Sequence, residues 1–327
     1  MPILSRSQTK ACVFAGAGYS YVAGLPLASN LFSGEVLLTS KSASKRLEAV
    51  YNAWKSWSVT NPGKNSEEFL GEIFATEPDA IVPWQWAVEY VANTLATPRG
   101  SDFPNTIYNP RYAGGIKKGS IVSSHKSFWR SIIEQYDLVG VVTTNYDILI
   151  ERCLHSNRKP TKYKPGFHYG GFGDRQTLIG SAAFSIRHRY LDIGGCVPIF
   201  KLHGSLNWSV EGNNIQMYQD LRPAFRNGCD AAIVPPTPEK APPSWLQGVW
   251  EQAKSALSAS NNWIVCGYSL PDYDYAVHNL LRNAADGADS LKITIIDPNS
   301  ISLEEKWKQL IPHATIIPLP GLPLSIN

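Results

Sequence analysis

Short apolar segments alternate with helical patterns along much of this 327-residue chain, and six of the segments are predicted to be buried strands. These six are residues 11–18, 138–147, 197–205, 262–269, 292–299 and 314–321. Helical patterns at 128–136, 243–260 and 275–287 separate some of them. Strands that are apolar along their whole length are typical of a parallel sheet covered on both faces. The alternation therefore predicts an α/β fold, a Rossmann-like parallel sheet with helices on both faces.

Two stretches interrupt this alternation, and we predict that both are insertions within a single domain spanning 1–327. Residues 28–125 are rich in tryptophan and tyrosine and contain helical patterns at 43–57 and 67–74, which predicts a helical insertion. Residues 155–196 are rich in glycine and basic residues, which predicts a long loop or small subdomain. Its lysines fit a solvated surface, with an anion site as the alternative.

The overall composition excludes several classes of function. A hydrophobic fraction of 43% with 17% charged residues is typical of a soluble globular protein. The net charge of +3 is too small for an obvious nucleic-acid or membrane footprint. No apolar run approaches the roughly 18 residues that a membrane span needs. We therefore expect no membrane or direct nucleic-acid partner.

The five cysteines indicate a reducing compartment. They are scattered along the chain, and no two form the CxxC pair of a structural zinc site. An odd number of scattered cysteines fits free thiols better than a disulfide framework. Cys12 and Cys266 lie in apolar runs, where buried, inert thiols are expected. We predict a cytoplasmic protein without a bound metal.

Polar or glycine-rich residues follow five of the predicted strands, at 16–20, 143–147, 203–205, 267–269 and 297–299. The carboxyl ends of parallel strands share one edge of a sheet, and ligands bind there, near the point where the strand order reverses. The sequence therefore predicts that these five segments form a pocket.

The first segment, "GAGYS", suits a phosphate-binding turn because Gly16 and Gly18 have no Cβ to block a close approach. It departs from the full G-x-G-x-x-G pattern, since Tyr21 stands at the third glycine, and no P-loop lysine follows. A purely structural strand-to-helix turn is the alternative.

His203 is the strongest candidate for acid–base chemistry. Imidazole titrates near neutrality, and His203 follows a predicted strand directly, with Gly204 expected to keep its surroundings open. It is placed to take a proton from a ribose hydroxyl or from water. A structural histidine is the alternative.

Three further polar side chains belong to the same predicted edge. Asn145 and Asp147 offer an amide and a carboxylate, although Asp147 is also suited to cap the helix that follows. Asp297 stands where an acidic residue holds ribose hydroxyls in dinucleotide-binding folds, with a turn before Pro298 as the alternative.

Four motifs in this order resemble the sirtuin superfamily: "GAGYSYVAGLP", "TTNYD", "KLHGS" and "CGYSLPDYD". They are most similar to its bacterial branch of sirtuin-like NAD hydrolases, which act in antiphage defence. The segment "IVPPTPEK" at 233–240, followed by a helix containing Trp245 and Trp250, is similar to that branch as well. The motifs themselves cover only a small part of the chain.

The resemblance implies an NAD pocket with roles for individual residues. Asn145 matches the catalytic asparagine that orients the nicotinamide ribose, Asp147 the acid that recognises the nicotinamide carboxamide, and His203 the catalytic histidine. The expected NAD-contacting residues are Gly16, Ala17, Gly18, Ser20, Thr144, Gly204, Gly267, Ser269 and Asp297. At Asp297 the family's usual residue is asparagine.

Departures from the family pattern bear on the reaction. Protein-deacylating sirtuins carry two CxxC zinc pairs, which this chain lacks. They continue the first glycine motif into Pro-Asp-Phe-Arg, whereas Pro26 is followed here by Leu27, Ala28 and Ser29. The resemblance therefore implies cleavage of NAD to nicotinamide and ADP-ribose, linear or cyclised, without an acyl-lysine partner. A protein deacylase and a non-catalytic NAD or ADP-ribose sensor are the alternatives.

Family resemblance also implies that NAD depletion is held in check from outside the catalytic core. We expect a homo-oligomer, a separately encoded partner such as a ring-forming ATPase, or both.

Overall fold

The computed structural model describes residues 9–23, 25–32, 44–96, 121–154, 166–172, 176–179, 196–211, 214–218, 231–235, 242–288 and 290–321. Its strands are β1 (Thr9–Ala15), β2 (Tyr136–Thr143), β3 (Phe167–Tyr169), β4 (Gln176–Ile179), β5 (Val197–Lys201), β6 (Gly204–Glu211), β7 (Asn214–Tyr218), β8 (Ala231–Ile233), β9 (Asn262–Cys266), β10 (Lys292–Ile296) and β11 (Thr315–Leu319). Its helices are α1 (Ala17–Tyr21), α2 (Ser44–Thr60), α3 (Ser66–Thr76), α4 (Trp84–Ala96), α5 (Ile121–Gln135), α6 (Leu149–Leu154), α7 (Ser244–Ser258), α8 (Tyr275–Ala285) and α9 (Ser300–Leu310).

Seven strands form the main sheet in the order β11-β10-β9-β1-β2-β5-β3, and each neighbouring pair is parallel. From β1 the chain adds strands on one side through β2 and later on the other side through β9, so the strand order reverses between β1 and β9. The predicted α/β class with a Rossmann-like parallel sheet is confirmed.

The six predicted strands correspond to β1, β2, β5, β9, β10 and β11. The central strand β1 shows why the apolar pattern was informative, because its last five residues are fully buried. Cys12 in β1 and Cys266 in the adjacent β9 are both buried and outside any disulfide, as predicted.

A second sheet with the order β4-β7-β6-β8 was not predicted. In β6 the side chains of Leu206 and Trp208 alternate with those of Ser205, Asn207 and Ser209, and all five residues are buried. This alternation of apolar and polar residues indicates a strand. We did not predict it because β6 begins within the "KLHGS" motif, whose last residues were assigned to the end of the preceding strand.

The tryptophan-rich region contains the predicted helices, as α2 and α3, together with α4, which was not predicted. Phe32 stacks against Trp54 and Tyr90 with ring centroids 5.4 and 4.7 Å apart, and Trp57 lies 5.4 Å from Phe69. These aromatic contacts tie the residues around 32 to the three helices. The boundaries 28–125 and 155–196 stay predictions, and much of the second segment lies outside the described residues.

Helix α3 begins with a capping box that fixes its direction. The Asn65 side chain accepts from the backbone amides of Glu67 and Glu68, while the Glu68 carboxylate accepts from the Asn65 amide. None of the helices in the described ranges is long and apolar enough to cross a membrane.

Candidate active site

A cleft of about 840 Å³ lies along the carboxyl edge of the main sheet. Segments that follow β1, β2, β5, β9 and β10 line it, and so do residues of the α1–α4 region. The volume falls within the range of small-molecule and cofactor sites. The predicted site residues that line it are Ala17, Gly18, Ser20, Thr144, Asn145, Asp147, His203, Gly267, Ser269 and Asp297, whereas Gly16 and Gly204 lie outside its lining.

The glycine turn packs against the turn that follows β9. The amide of Gly16 donates to the Cys266 carbonyl at 3.0 Å, and that of Gly18 donates to the Gly267 carbonyl at 2.9 Å. A Cβ on Gly16 would lie 2.6 Å from the Gly267 oxygen, and one on Gly267 only 2.2 Å from the Tyr19 nitrogen. The glycines are therefore needed for two backbone turns to meet where the strand order reverses.

These hydrogen bonds show what the amides of Gly16 and Gly18 do in the absence of a ligand. Both donors are used within the protein. The following helix α1 has only five residues, so its dipole is weak. An anion at this turn therefore cannot use these two amides, and the Ser20 side chain is one other neighbour in the cleft lining.

Gly204 is required by the packing of its own backbone. Its φ is +74°, and a Cβ there would lie 1.9 Å from the Ala232 carbonyl oxygen in β8. The residue lets the turn between β5 and β6 pack against β8.

Asn145 is fixed by three hydrogen bonds. Its Nδ2 donates to the Gly16 carbonyl at 2.9 Å and to Ser20 Oγ at 3.0 Å, and its backbone amide donates to Thr143 Oγ1 at 3.1 Å. Because a carbonyl oxygen only accepts, the contact with Gly16 assigns the nitrogen of the side-chain amide to that position. The remaining polar atom, Oδ1, is the acceptor that this residue has left to offer a ligand.

Asp147 caps the helix that follows it, as its alternative interpretation anticipated. Its Oδ1 accepts from the Leu149 amide at 2.9 Å, and the residue is buried beside the cleft. Lys201 Nζ donates to the backbone carbonyl of Asp147 and lies 3.0 Å from Glu151 Oε1. Lys201 and Glu151 are both fully buried. The loop between β2 and α6 is thus held by a buried ion pair.

Asp297 likewise serves its own turn. Its Oδ1 accepts from the Asn299 amide at 2.8 Å, in the turn that starts α9. Asp297 is 9% exposed and lines the cleft. One carboxylate oxygen is committed to the backbone, so a ligand hydroxyl would be held by the other.

His203 lies among acidic groups that the sequence did not single out. Its Nε2 is 3.7 Å from Asp274 Oδ1, and both side chains are buried. Burial lowers the pKa of His203, but the carboxylates of Asp274 and Glu67 raise it by more, so its pKa lies above the ordinary value. The imidazole of His203 is therefore protonated more readily than an ordinary histidine.

Two tyrosine hydroxyls hold these carboxylates. Tyr268 donates to Asp274 Oδ2 at 2.9 Å, and Tyr273 donates to Glu67. Burial raises the pKa of Glu67, with the Tyr273 hydrogen bond and His203 acting against it. Asp274 and both tyrosines belong to the motif "CGYSLPDYD" and its surroundings, which was the available signal for them. Nothing local marked Glu67, which comes from α3 in a distant part of the sequence.

Positive charge is scarce in the cleft. Among the described lining residues the one lysine or arginine is Lys306, whose Nζ lies 3.3 Å from Asp272 Oδ1 near the surface. Within the ranges that the structure describes, no group of three or more His, Cys, Asp and Glu side chains is arranged to hold a metal ion. Hydroxyl and amide groups are therefore the main hydrogen-bond donors in a described lining that is otherwise largely apolar.

Comparison with known families decides the relationship. Residues 139–310, more than half of the chain, match the family model of the SIR2-like domain. The chain belongs to the SIR2-like domain family. The resemblance to the sirtuin superfamily is thereby confirmed, and an NAD-utilising function fits a SIR2-like domain. The matched range includes the Asn145, His203 and Asp274 segments of the cleft.

Solved Sir2 structures are similar to this SIR2-like chain at low identity. One is a Sir2 enzyme whose structure addresses the mechanism and regulation of these enzymes. It is 12% identical, with a TM-score of 0.45, and the match covers 97% of this chain and 89% of that chain. A Sir2 homologue with 2′-O-acetyl ADP ribose is 16% identical, with a TM-score of 0.45, over 97% and 88%. A Sir2 homologue with NAD is 13% identical, with a TM-score of 0.41, over 97% and 85%. No curated protein sequence matches the chain.

Proposed function

We propose that this SIR2-like chain is an NAD+ hydrolase that cleaves the nicotinamide–ribose bond to give nicotinamide and ADP-ribose. The observation that carries the proposal is the convergence of Asn145, Asp147 and His203 on one cleft beside the glycine turn. An amide acceptor, a carboxylate and an imidazole with a raised pKa are the groups that such a cleavage needs.

In the proposed reaction, the bond between ribose C1′ and the pyridinium nitrogen breaks, and neutral nicotinamide leaves with the electron pair. The ribose becomes oxocarbenium-like, and Asn145 Oδ1 orients its hydroxyls or the incoming water. Water attacks C1′ while His203 accepts its proton, which then passes to solvent. Asp147 faces the nicotinamide carboxamide. The products are nicotinamide, ADP-ribose and one proton.

The rest of the substrate follows the cleft in this proposal. The amides of Gly16 and Gly18 are committed to the protein, so the expected phosphate donors are the Ser20 and Ser269 hydroxyls. Asp297 lies at the far end of the sheet edge from His203 and is placed to accept from an adenosine ribose hydroxyl. Thr144 and Gly267 complete the walls between the two ends.

We further propose that the protein depletes NAD as a cytoplasmic effector of bacterial antiphage defence. In this role the activity must be restrained until infection, through a homo-oligomer, a separately encoded partner such as a ring-forming ATPase, or both. Size measurement of the chain alone and with candidate partners distinguishes these arrangements. The proposed role in antiphage defence is supported by the sirtuin-like motifs, which resemble those of the bacterial NAD-hydrolase branch.

Nicotinamide release from NAD by the purified chain tests the activity. Under activating conditions wild type is expected to turn over. His203→Ala is expected to lower kcat by about 10²-fold or more, since acid–base groups contribute about 10²–10⁴-fold. Asn145→Ala is expected to lower kcat by about 10²-fold, since a small misplacement of the reacting groups costs that much. Asp286→Asn, an exposed change directly after the end of α8, serves as the control with wild-type turnover. Equal turnover in all four proteins would contradict the assignment.

The same proteins separate the alternatives. Release of nicotinamide only when an acyl-lysine peptide is present identifies a deacylase. Binding of NAD or ADP-ribose without turnover, unaffected by both substitutions, identifies a sensor. Chromatography of the product distinguishes linear from cyclic ADP-ribose.

A further inference from the structure

We propose that Asp274 is the positioning residue of His203, a carboxylate that orients the imidazole and stabilises its protonated form. The inference rests on the proposed function for its kinetic consequences, but the contact between the two side chains exists independently of any substrate. Nothing in the sirtuin resemblance assigned a role to Asp274.

The side chain of Asp274 is not used to cap the helix that follows it. It is the residue that precedes α8, where an aspartate side chain normally accepts from the backbone amides of the first helical turn. Here the side chain makes no capping hydrogen bond. By contrast, Asn65 caps α3 and Asp147 accepts from the start of α6. The Asp274 carboxylate is turned towards the cleft.

One oxygen of the Asp274 carboxylate accepts a hydrogen bond, and the other has none within the ranges that the structure describes. Tyr268 donates to Oδ2 at 2.9 Å, while Oδ1 lies 3.7 Å from His203 Nε2. The side chains of His203 and Asp274 are 6% and 3% exposed, and Oδ1 has no hydrogen-bond partner among the described residues. Catalytic hydrogen bonds are often long without substrate and tighten in the complex. If the two side chains approach each other by less than an ångström, Nε2 of His203 and Oδ1 of Asp274 come within hydrogen-bonding distance.

The surroundings of His203 favour a protonated imidazole during turnover. The groups that face it are Asp274 from the loop before α8, Glu67 from α3, the Tyr146 ring at 6.3 Å and the Trp250 ring of α7 at 6.4 Å. Burial lowers the pKa of His203, and the two carboxylates together raise it above its ordinary value. When His203 accepts the proton of water, Asp274 stabilises the positive charge that forms.

The first test is titration of His203 by NMR, which needs no turnover. The signal is assigned by its loss in His203→Gln. In Asp274→Asn the pKa of His203 is expected to fall by about one unit or more, since an adjacent opposite charge shifts a pKa by about one to three units. Asparagine still accepts from Tyr268. In the control Asp286→Asn, at the exposed residue that follows the other end of α8, the pKa of His203 stays at the wild-type value.

The second test is the pH profile of NAD hydrolysis. Neutral His203 is the active base, so kcat/KM falls as pH drops below its pKa. In Asp274→Asn this acid limb moves to lower pH, because the pKa of His203 is lower, and the plateau kcat falls by about tenfold or more. A merely structural role would lower stability without moving the limb.

Asp274→Ser provides a second variant that removes the charge and suits the start of a helix, should the asparagine variant fold poorly. An unchanged His203 pKa in whichever variant folds overturns the proposal, whatever happens to turnover. A wild-type protein that lacks NAD hydrolysis under all activating conditions but shows the expected His203 titration overturns the proposed function and leaves the contact established.

Discussion

At the scale of single residues, the glycines at the carboxyl edge of the sheet serve packing before they serve a ligand. Gly16 and Gly18 donate their amides to carbonyls of the turn after β9, and Gly267 approaches Tyr19 too closely for any side chain. The sequence predicted a phosphate-binding turn here, with a structural strand-to-helix turn as the alternative. Its partner was beyond prediction, because the contact joins turns at opposite ends of the chain.

Substitution at Gly16 tests this packing role. In Gly16→Ala the new Cβ meets the Gly267 carbonyl oxygen at 2.6 Å, and the backbone must shift. We expect a loss of about 1–3 kcal/mol in the free energy of unfolding, the usual cost of overpacking, measured by urea denaturation. In the control Gly63→Asn, where φ is +86° and nothing lies within 4 Å, the loss is expected to be small. Equal losses in both variants would contradict the packing role.

At the scale of elements, a buried ion pair ties the strand that precedes His203 to the loop that carries Asn145. Lys201 at the end of β5 contacts Glu151 in α6 at 3.0 Å and donates to the carbonyl of Asp147. Glu151 also accepts from Tyr169 in β3 at 3.0 Å. Three elements are therefore fixed relative to one another beneath the cleft.

Removal of the lysine charge tests this tie. Lys201→Met leaves the Glu151 carboxylate buried without its cation, and we expect a loss of about 3–5 kcal/mol in the free energy of unfolding. The double variant Lys201→Met, Glu151→Gln is expected to recover part of that stability, since it removes the unpaired charge and keeps an acceptor for Tyr169. If both variants lose the same free energy, the ion pair is not the source of the effect.

The elements also show how far the sequence predicts this fold. Strands such as β1 and β9 were predictable because both faces are buried, which leaves an apolar run with no competing pattern. The four-stranded sheet was missed because β4 and β8 are only four and three residues long. The acidic groups around His203 come from α3 and the loop before α8, and no local pattern encodes contacts between such distant segments.

At the scale of the whole molecule, the reversal of strand order between β1 and β9 places the cleft. The first half of the chain contributes the glycine turn and Asn145 from one side of β1, and the second half contributes Gly267 and Asp297 from the other. A ligand in this cleft therefore touches both halves, which fits a dinucleotide that extends along the sheet edge. The α1–α4 region adds Glu67 near His203.

Hydrolysis of NAD in heavy-oxygen water is the most direct test of the central claim. The purified chain is incubated with NAD, and the products are analysed by mass spectrometry. We predict release of nicotinamide together with ADP-ribose that carries one heavy oxygen at C1′, and loss of both products in Asn145→Ala. Absence of nicotinamide release from the activated wild-type protein, or release without heavy oxygen in the ribose product, would contradict the assignment as an NAD+ hydrolase.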